Sequence, residues 1–295
     1  MRRMKQYTPE FVSFLNWEDT SEEGEMLTHE FAVFKDVKHL LDGMDGIKNK
    51  YNHGVDDPSW THGELGTRER TKHSVYYAKP TAKTIAKVKE LRTELTDIKA
   101  VKDNFKIATN KRSKIRFDNH GDELDINRLM CGAPDYWSIK ANNKVEPAIK
   151  LFLNLTLSCG NSEENFQRLA ALTAVAAELL QRMGKNVEIK CIAPIRKRDD
   201  ERILRHGVIF TVKRAEEPID IYKIASLGCP GLFRDYIFRA IGNCIEDNGN
   251  DMGSSEKLSE DHRQELGIDY MIEQQWINGK EALFVEDIFS QEMAK

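Results

Sequence analysis

The sequence predicts an α/β fold: a mostly parallel sheet flanked by helices in three layers, preceded by an α+β amino-terminal extension. Three observations carry this. Leu151, Phe152, Leu153, Leu155 and Leu157 form a nearly continuous apolar run, the pattern of a strand covered on both faces. Phe166, Leu169, Ala170, Thr173, Ala176, Ala177, Leu180 and Met183 recur at helical spacing. Val187, Ile189, Cys191 and Ala193 then alternate with Glu188, Lys190 and Ile192, as in a second strand. Strand, helix and strand joined this closely make a βαβ unit, which is right-handed in nearly all cases.

The joints of this unit are explicit. Ser158-Cys159-Gly160-Asn161-Ser162 is a cluster of turn formers. Ser162 is placed as the helix N-cap, with Glu163 and Glu164 in the electropositive first turn. Gly184 is placed to stop the helix, because glycine enters the left-handed conformation freely. Open sheets of this kind bind ligands at the carboxyl ends of their strands, here the loop from Ser158 to Ser162.

From the amino terminus, Phe11, Phe14, Leu15 and Trp17 suggest a short helix. Phe31, Phe34, Val37, Leu40 and Leu41 suggest a second, stopped at Gly43. Asp42 to Gly66 reads as a polar surface loop. Its His53, Asp56, Asp57, Trp60 and His62 include transition-metal ligand types, but at no fixed spacing. Ile85, Val88, Leu91, Arg92 and Leu95 make one stripe of a helix over Thr81–Leu95. Its other side carries Lys83, Lys87 and Lys89, and the basic bias runs on through Lys111, Arg112 and Lys114. Ile115–Phe117 and Leu124–Ile126 flank a polar Gly-containing stretch and predict a hairpin. Composition turns apolar near Gly132. This places a boundary there, dividing an amino-terminal helical and basic region, 1–132, from an α/β domain, 133–295.

After the central unit, Arg196 to Arg205 is so highly charged that a loop or exposed helix start is expected. Val208–Val212 is a strand, and Ile219, Ile221 and Ile224 mark a short element. Leu232, Phe233, Tyr236, Ile237, Ala240 and Ile241 mark a helix through about Ile245. Asp247 to Glu265 reads as a mobile loop, Ile268–Ile272 as a late strand, and Ala282, Phe284 and Ile288 as a docked tail.

The first strand of the unit ends in Asn154-x-Thr156-x-Ser158. Its position and spacing resemble the Asp-x-Ser-x-Ser signature of the von Willebrand factor A fold, over roughly Val145 to Ile288. That resemblance implies a Mg²⁺ site that captures a carboxylate from a partner. Here Asn154 replaces the acid. Hard cations need anionic oxygens, so the resemblance implies a degenerate site at Asn154, Thr156 and Ser158 and no bound cofactor. Asp199, Asp269 and Thr211 are the candidates for its distant ligands. Asp125-Ile126-Asn127-Arg128 and Pro230-Gly231-Leu232-Phe233-Arg234 are similar to an uncharacterised family of phage proteins with an A-domain-like core.

The 295-residue chain carries a formal net charge of -4, which does not mark it as a general polyanion binder. No apolar run reaches the roughly 18 residues needed to cross a bilayer, and a membrane partner is not expected. Five widely spaced cysteines, an odd count without a C-x-x-C pair, read as free thiols in a reducing cytoplasm, the host's if the protein is viral. Cys159 alone stands on the ligand loop. No Walker loop, dinucleotide fingerprint, G-x-S-x-G or H-E-x-x-H occurs.

The expectation is therefore a non-catalytic protein-interaction module, an accessory protein that docks on a host or viral complex; suppression of a host defence is one version. Two alternatives stay open. One is nucleic-acid binding through Lys83, Lys87, Lys89, Lys111, Arg112 and Lys114 in segment 79–116. The other is a metal-dependent A-type adaptor. A homo-oligomer also stays open.

Overall fold

The computed structural model describes residues 12–20, 26–47, 61–103, 116–118, 123–124, 126–131, 137–139, 147–157, 161–199, 202–245, 254–255 and 258–294. In chain order the elements begin with β1 (Val12–Thr20), β2 (Met26–Phe34), α1 (Val37–Met44), α2 (Arg68–Tyr76) and α3 (Ala82–Thr96). A small group follows: β3 (Arg116–Asp118), β4 (Glu123–Leu124), α4 (Ile126–Met130) and β5 (Trp137–Ile139). Then come β6 (Ile149–Asn154), α5 (Glu163–Arg182), β7 (Val187–Asp199), β8 (Arg202–Lys213) and α6 (Ile221–Ala225). A π-helical turn (Leu232–Ile237) runs directly into α7 (Phe238–Cys244). The chain closes with β9 (Ser254–Ser255), α8 (Glu260–Glu265), β10 (Tyr270–Ile272) and α9 (Glu281–Ala294).

The main sheet has the order β1-β2-β8-β7-β6-β10, with β9 added against β7. Along that path β2/β8, β7/β6 and β6/β10 are parallel, whereas β1/β2 and β8/β7 are antiparallel. The result is a mixed α/β sheet flanked by helices.

The period-two alternation of the strands divides the core between two faces. Leu151, Leu153, Ile189, Cys191, Val208 and Phe210 join the larger cluster with α5. Phe152, Ile192, Ile209, Phe31 and Met271 join the smaller one, completed by Leu258. β6 is buried at five of its six positions because both faces are covered.

α5 is buried along most of its length, as a helix apolar nearly all round must be, since it lies between the sheet and α3. Arg92 of α3 donates to Glu178 of α5 at 2.8 Å across that contact. Ser162 occupies the N-cap position of α5 with extended backbone, but its side chain makes no capping bond. Gly184 takes φ +84° just past the helix, where the amide of Lys185 returns to the Leu180 carbonyl. Thr81 caps α3 through Thr84 N.

Several expectations are corrected. Residues around Phe14 and Trp17 form β1, not a helix, because Val12 to Thr20 pair in register with β2 from Phe34 to Met26. Phe31 and Phe34 belong to β2, and the helix begins only at Val37, capped by Asp36 on His39 N at 3.0 Å. Apparent helical spacing there spanned two elements. In the charged Arg196–Arg205 stretch, residues 196–199 and 202–205 are antiparallel strand ends of β7 and β8, with Arg196 paired to Arg205 and Asp199 to Arg202. β3 and β4 do not pair with each other; both pair β5. Within Asp247–Glu265, α8 and Leu258 are ordered against the second face of the sheet. The sheet also crosses the boundary drawn at 132/133, since β1 and β2 extend it and α3 packs on α5.

Candidate functional site

The carboxyl end of β6 is where an open α/β sheet presents a ligand site. Asn154 is the last residue of β6 and is buried, as is Thr156. Asn154 Oδ1 accepts the Thr156 amide at 2.9 Å, a local turn that uses the side chain as a backbone mimic. The Thr156 hydroxyl is buried and makes no hydrogen bond. Ser158 and Cys159 lie outside the described residues.

The rest of this rim is assembled from distant segments. Arg234, on the π-turn, donates to the Asn161 carbonyl at 2.7 Å and lies over the Phe166 ring, 5.2 Å from its centroid. Gln274 donates to Asn161 Oδ1 at 3.0 Å. Glu163, in the first turn of α5, accepts the amide of Glu64 at 3.0 and 3.2 Å. Burial pushes the Glu163 carboxyl above its usual range, and the Glu64 amide opposes that.

Glu273 follows β10 directly. The ladder ends where Ile272 pairs Leu153, so Glu273 leaves the sheet at the same rim at which β6 ends. Sequence reasoning missed it; the signal was an acid closing the late strand. Its Oε1 is held by Arg263 at 2.9 Å and Gln275 at 2.7 Å. The other candidate ligands lie elsewhere. Asp269 caps the opposite end of β6 through Lys150 N at 2.7 Å. Thr211 of β8 pairs Lys190, and Asp199 is the last residue of β7.

This donor set does not fit Mg²⁺. Asn154 is neutral and its oxygen is turned to an amide, and Glu273, the acid at the same rim, is paired with Arg263. Among the described residues, no group of three or more His, Cys, Asp or Glu is arranged to hold a metal ion.

Of the basic residues on α3, Lys83 pairs with Glu64. Lys87 pairs with Glu90 at 3.1 Å and Glu164 at 3.3 Å. Lys89 is exposed. Lys111, Arg112 and Lys114 lie outside the described residues, as do His53, Asp56, Asp57 and Trp60. His62 is buried and its Nδ1 lies 3.1 Å from Thr71 Oγ1. Among the described residues no helix is long and apolar enough to cross a membrane.

Comparison with curated proteins and with solved structures returned no match. One family model matches residues 8–294, nearly the whole chain, and the protein belongs to that family, described as a domain of unknown function, DUF7192.

Proposed function

We propose that the protein is a non-catalytic protein-interaction module with a von Willebrand factor A-like core, a phage accessory protein that docks on a host or viral complex. The observation that carries this is the state of the strand-end rim. Asn154 serves its own loop, Glu273 is paired with Arg263, and Asn161 is held by Arg234 and Gln274. A rim joined in this way works as a structural joint, which leaves recognition to the outer surface. Ile126, Leu129 and Met130 support that reading. They are exposed on α4 at i, i+3 and i+4, one apolar face on a helix of five residues.

Affinity purification with mass spectrometry, with and without nuclease, tests the proposal. A protein partner that survives nuclease, and is lost with Met130→Asp, is the expected result. Recovery that disappears with nuclease moves the reading to nucleic acid. Recovery of no specific protein from the relevant cells rejects it.

A further inference from the structure

β1 is the outermost strand of the main sheet. Among the described residues it pairs only with β2, from Val12↔Phe34 to Thr20↔Met26 without a bulge. Its other side presents a row of backbone N–H and C=O groups, a template for a further strand. Outer strands are commonly blunted by lysine, proline, a bulge or short length. β10, at the opposite edge, is blunted by length, with three residues. β1 has none of these devices. It runs for nine residues, Val-Ser-Phe-Leu-Asn-Trp-Glu-Asp-Thr, without Lys, Arg or Pro.

The two faces of β1 differ. Val12 and Phe14 pack on the larger core. Trp17 lies on the other face, stacked on His29 and Phe31 with ring centroids 4.5 and 5.7 Å away. Leu15 shares that face by the period-two alternation and pairs Phe31 in register, yet it stays 44% exposed. A strand added at this edge would cover it.

A second β1, set antiparallel about the middle residue Asn16, matches this edge. Leu15 of each copy then falls opposite Trp17 of the other on one face, so each exposed leucine gains an indole. Phe14 falls opposite Glu18 and Ser13 opposite Asp19, so no two acids meet. Parallel pairing in register would set Glu18 against Glu18 and Asp19 against Asp19. Val12 falls opposite Thr20. The chain joined to Val12 carries Arg2, Arg3 and Lys5, and the antiparallel order leads it to the Glu18–Asp19 end of the second copy. Apolar pattern and charge are both self-complementary about one two-fold axis, as an isologous interface requires.

We propose that β1 is a homodimer interface: two copies of this chain join edge to edge through antiparallel β1 strands about Asn16, making one sheet continuous across both. The inference goes beyond the docking reading and uses none of the residues on which that reading rests.

Sedimentation equilibrium on the full chain tests it. A reversible dimer is expected, dissociating in the micromolar range because two paired strands bury area at the low end of stable interfaces. Asn16 is exposed, so its variants keep the fold, and circular dichroism checks this. Asn16→Lys sets two like charges opposite each other and should weaken the dimer about fivefold, and Asn16→Asp should do the same. An equimolar mixture of the two variants should form a dimer at least as tight as the wild type, because Lys then faces Asp. A monomer up to about 100 µM, a dimer that both variants leave unchanged, or loss in both without recovery on mixing would each overturn it.

Discussion

Arg234 on the π-turn donates its Nη2 hydrogen to the carbonyl of Asn161, 73 residues earlier, at 2.7 Å. This bond ties the π-turn to the loop that leaves β6. Its neighbours Asp235 and Tyr236 turn toward Arg68 instead. One turn of helix therefore serves both the strand-end rim and the contact with α2.

Arg234→Ala should cost about 2–4 kcal/mol, because a buried carbonyl loses a charged donor and Phe166 loses its stacked neighbour. Arg234→Met keeps most of the volume. Urea denaturation separates the contributions: equal losses in both variants assign the effect to hydrogen bonding, a much smaller loss in Met to packing.

Asn154→Asp puts an acid at the buried end of β6, on the rim that also carries Glu273. Without metal it should lose roughly 1–3 kcal/mol, from a buried charge without a cationic partner. Millimolar Mg²⁺ or Mn²⁺ should raise its melting temperature and leave the wild type unmoved. A variant that ignores both ions would count against the A-domain reading of this strand end.

His62 links pH to stability. Burial lowers its pKa below the ordinary 6.5, with Asp235 opposing. The unfolded chain then takes the proton first on acidification. Its contribution is full above the ordinary value and is lost as pH falls through it toward the lower folded value. Between about pH 6.5 and 5 the stability of His62→Gln should therefore fall less steeply than that of the wild type. Parallel slopes in chemical denaturation would assign the pH response to other groups.

The thiols differ in reach. Cys131 is exposed, while Cys191, Cys229 and Cys244 are buried. Burial raises the Cys191 thiol and pushes Cys229 up to about 12. Iodoacetamide near pH 8 should alkylate Cys131 in the folded protein, and the other three only in denaturant. Peptide mapping reads this directly; native labelling of Cys229 would show that the segment around Pro230 opens.

Gly231 has no room for a side chain. A Cβ there would stand 2.6 Å from His62 Nδ1 and Thr71 Oγ1. Gly231→Ala should cost about 1–3 kcal/mol and shift the denaturation midpoint accordingly. An unchanged midpoint would mean that the contact between α2 and the π-turn is loose.

Local sequence was enough for the βαβ unit, the α3 helix, the left-handed Gly184 and the neutral residue ending β6. Each is written in residues a few positions apart, where backbone geometry and apolar period act locally. Only the folded chain shows that β1 and β2 join this sheet, that Glu273 reaches the rim where β6 ends, and that Arg234 holds Asn161. It alone sets Arg68 against Asp235 and Tyr236. Those relationships join residues up to some two hundred positions apart, through strand register and buried charge pairing, neither of which leaves a local period to read.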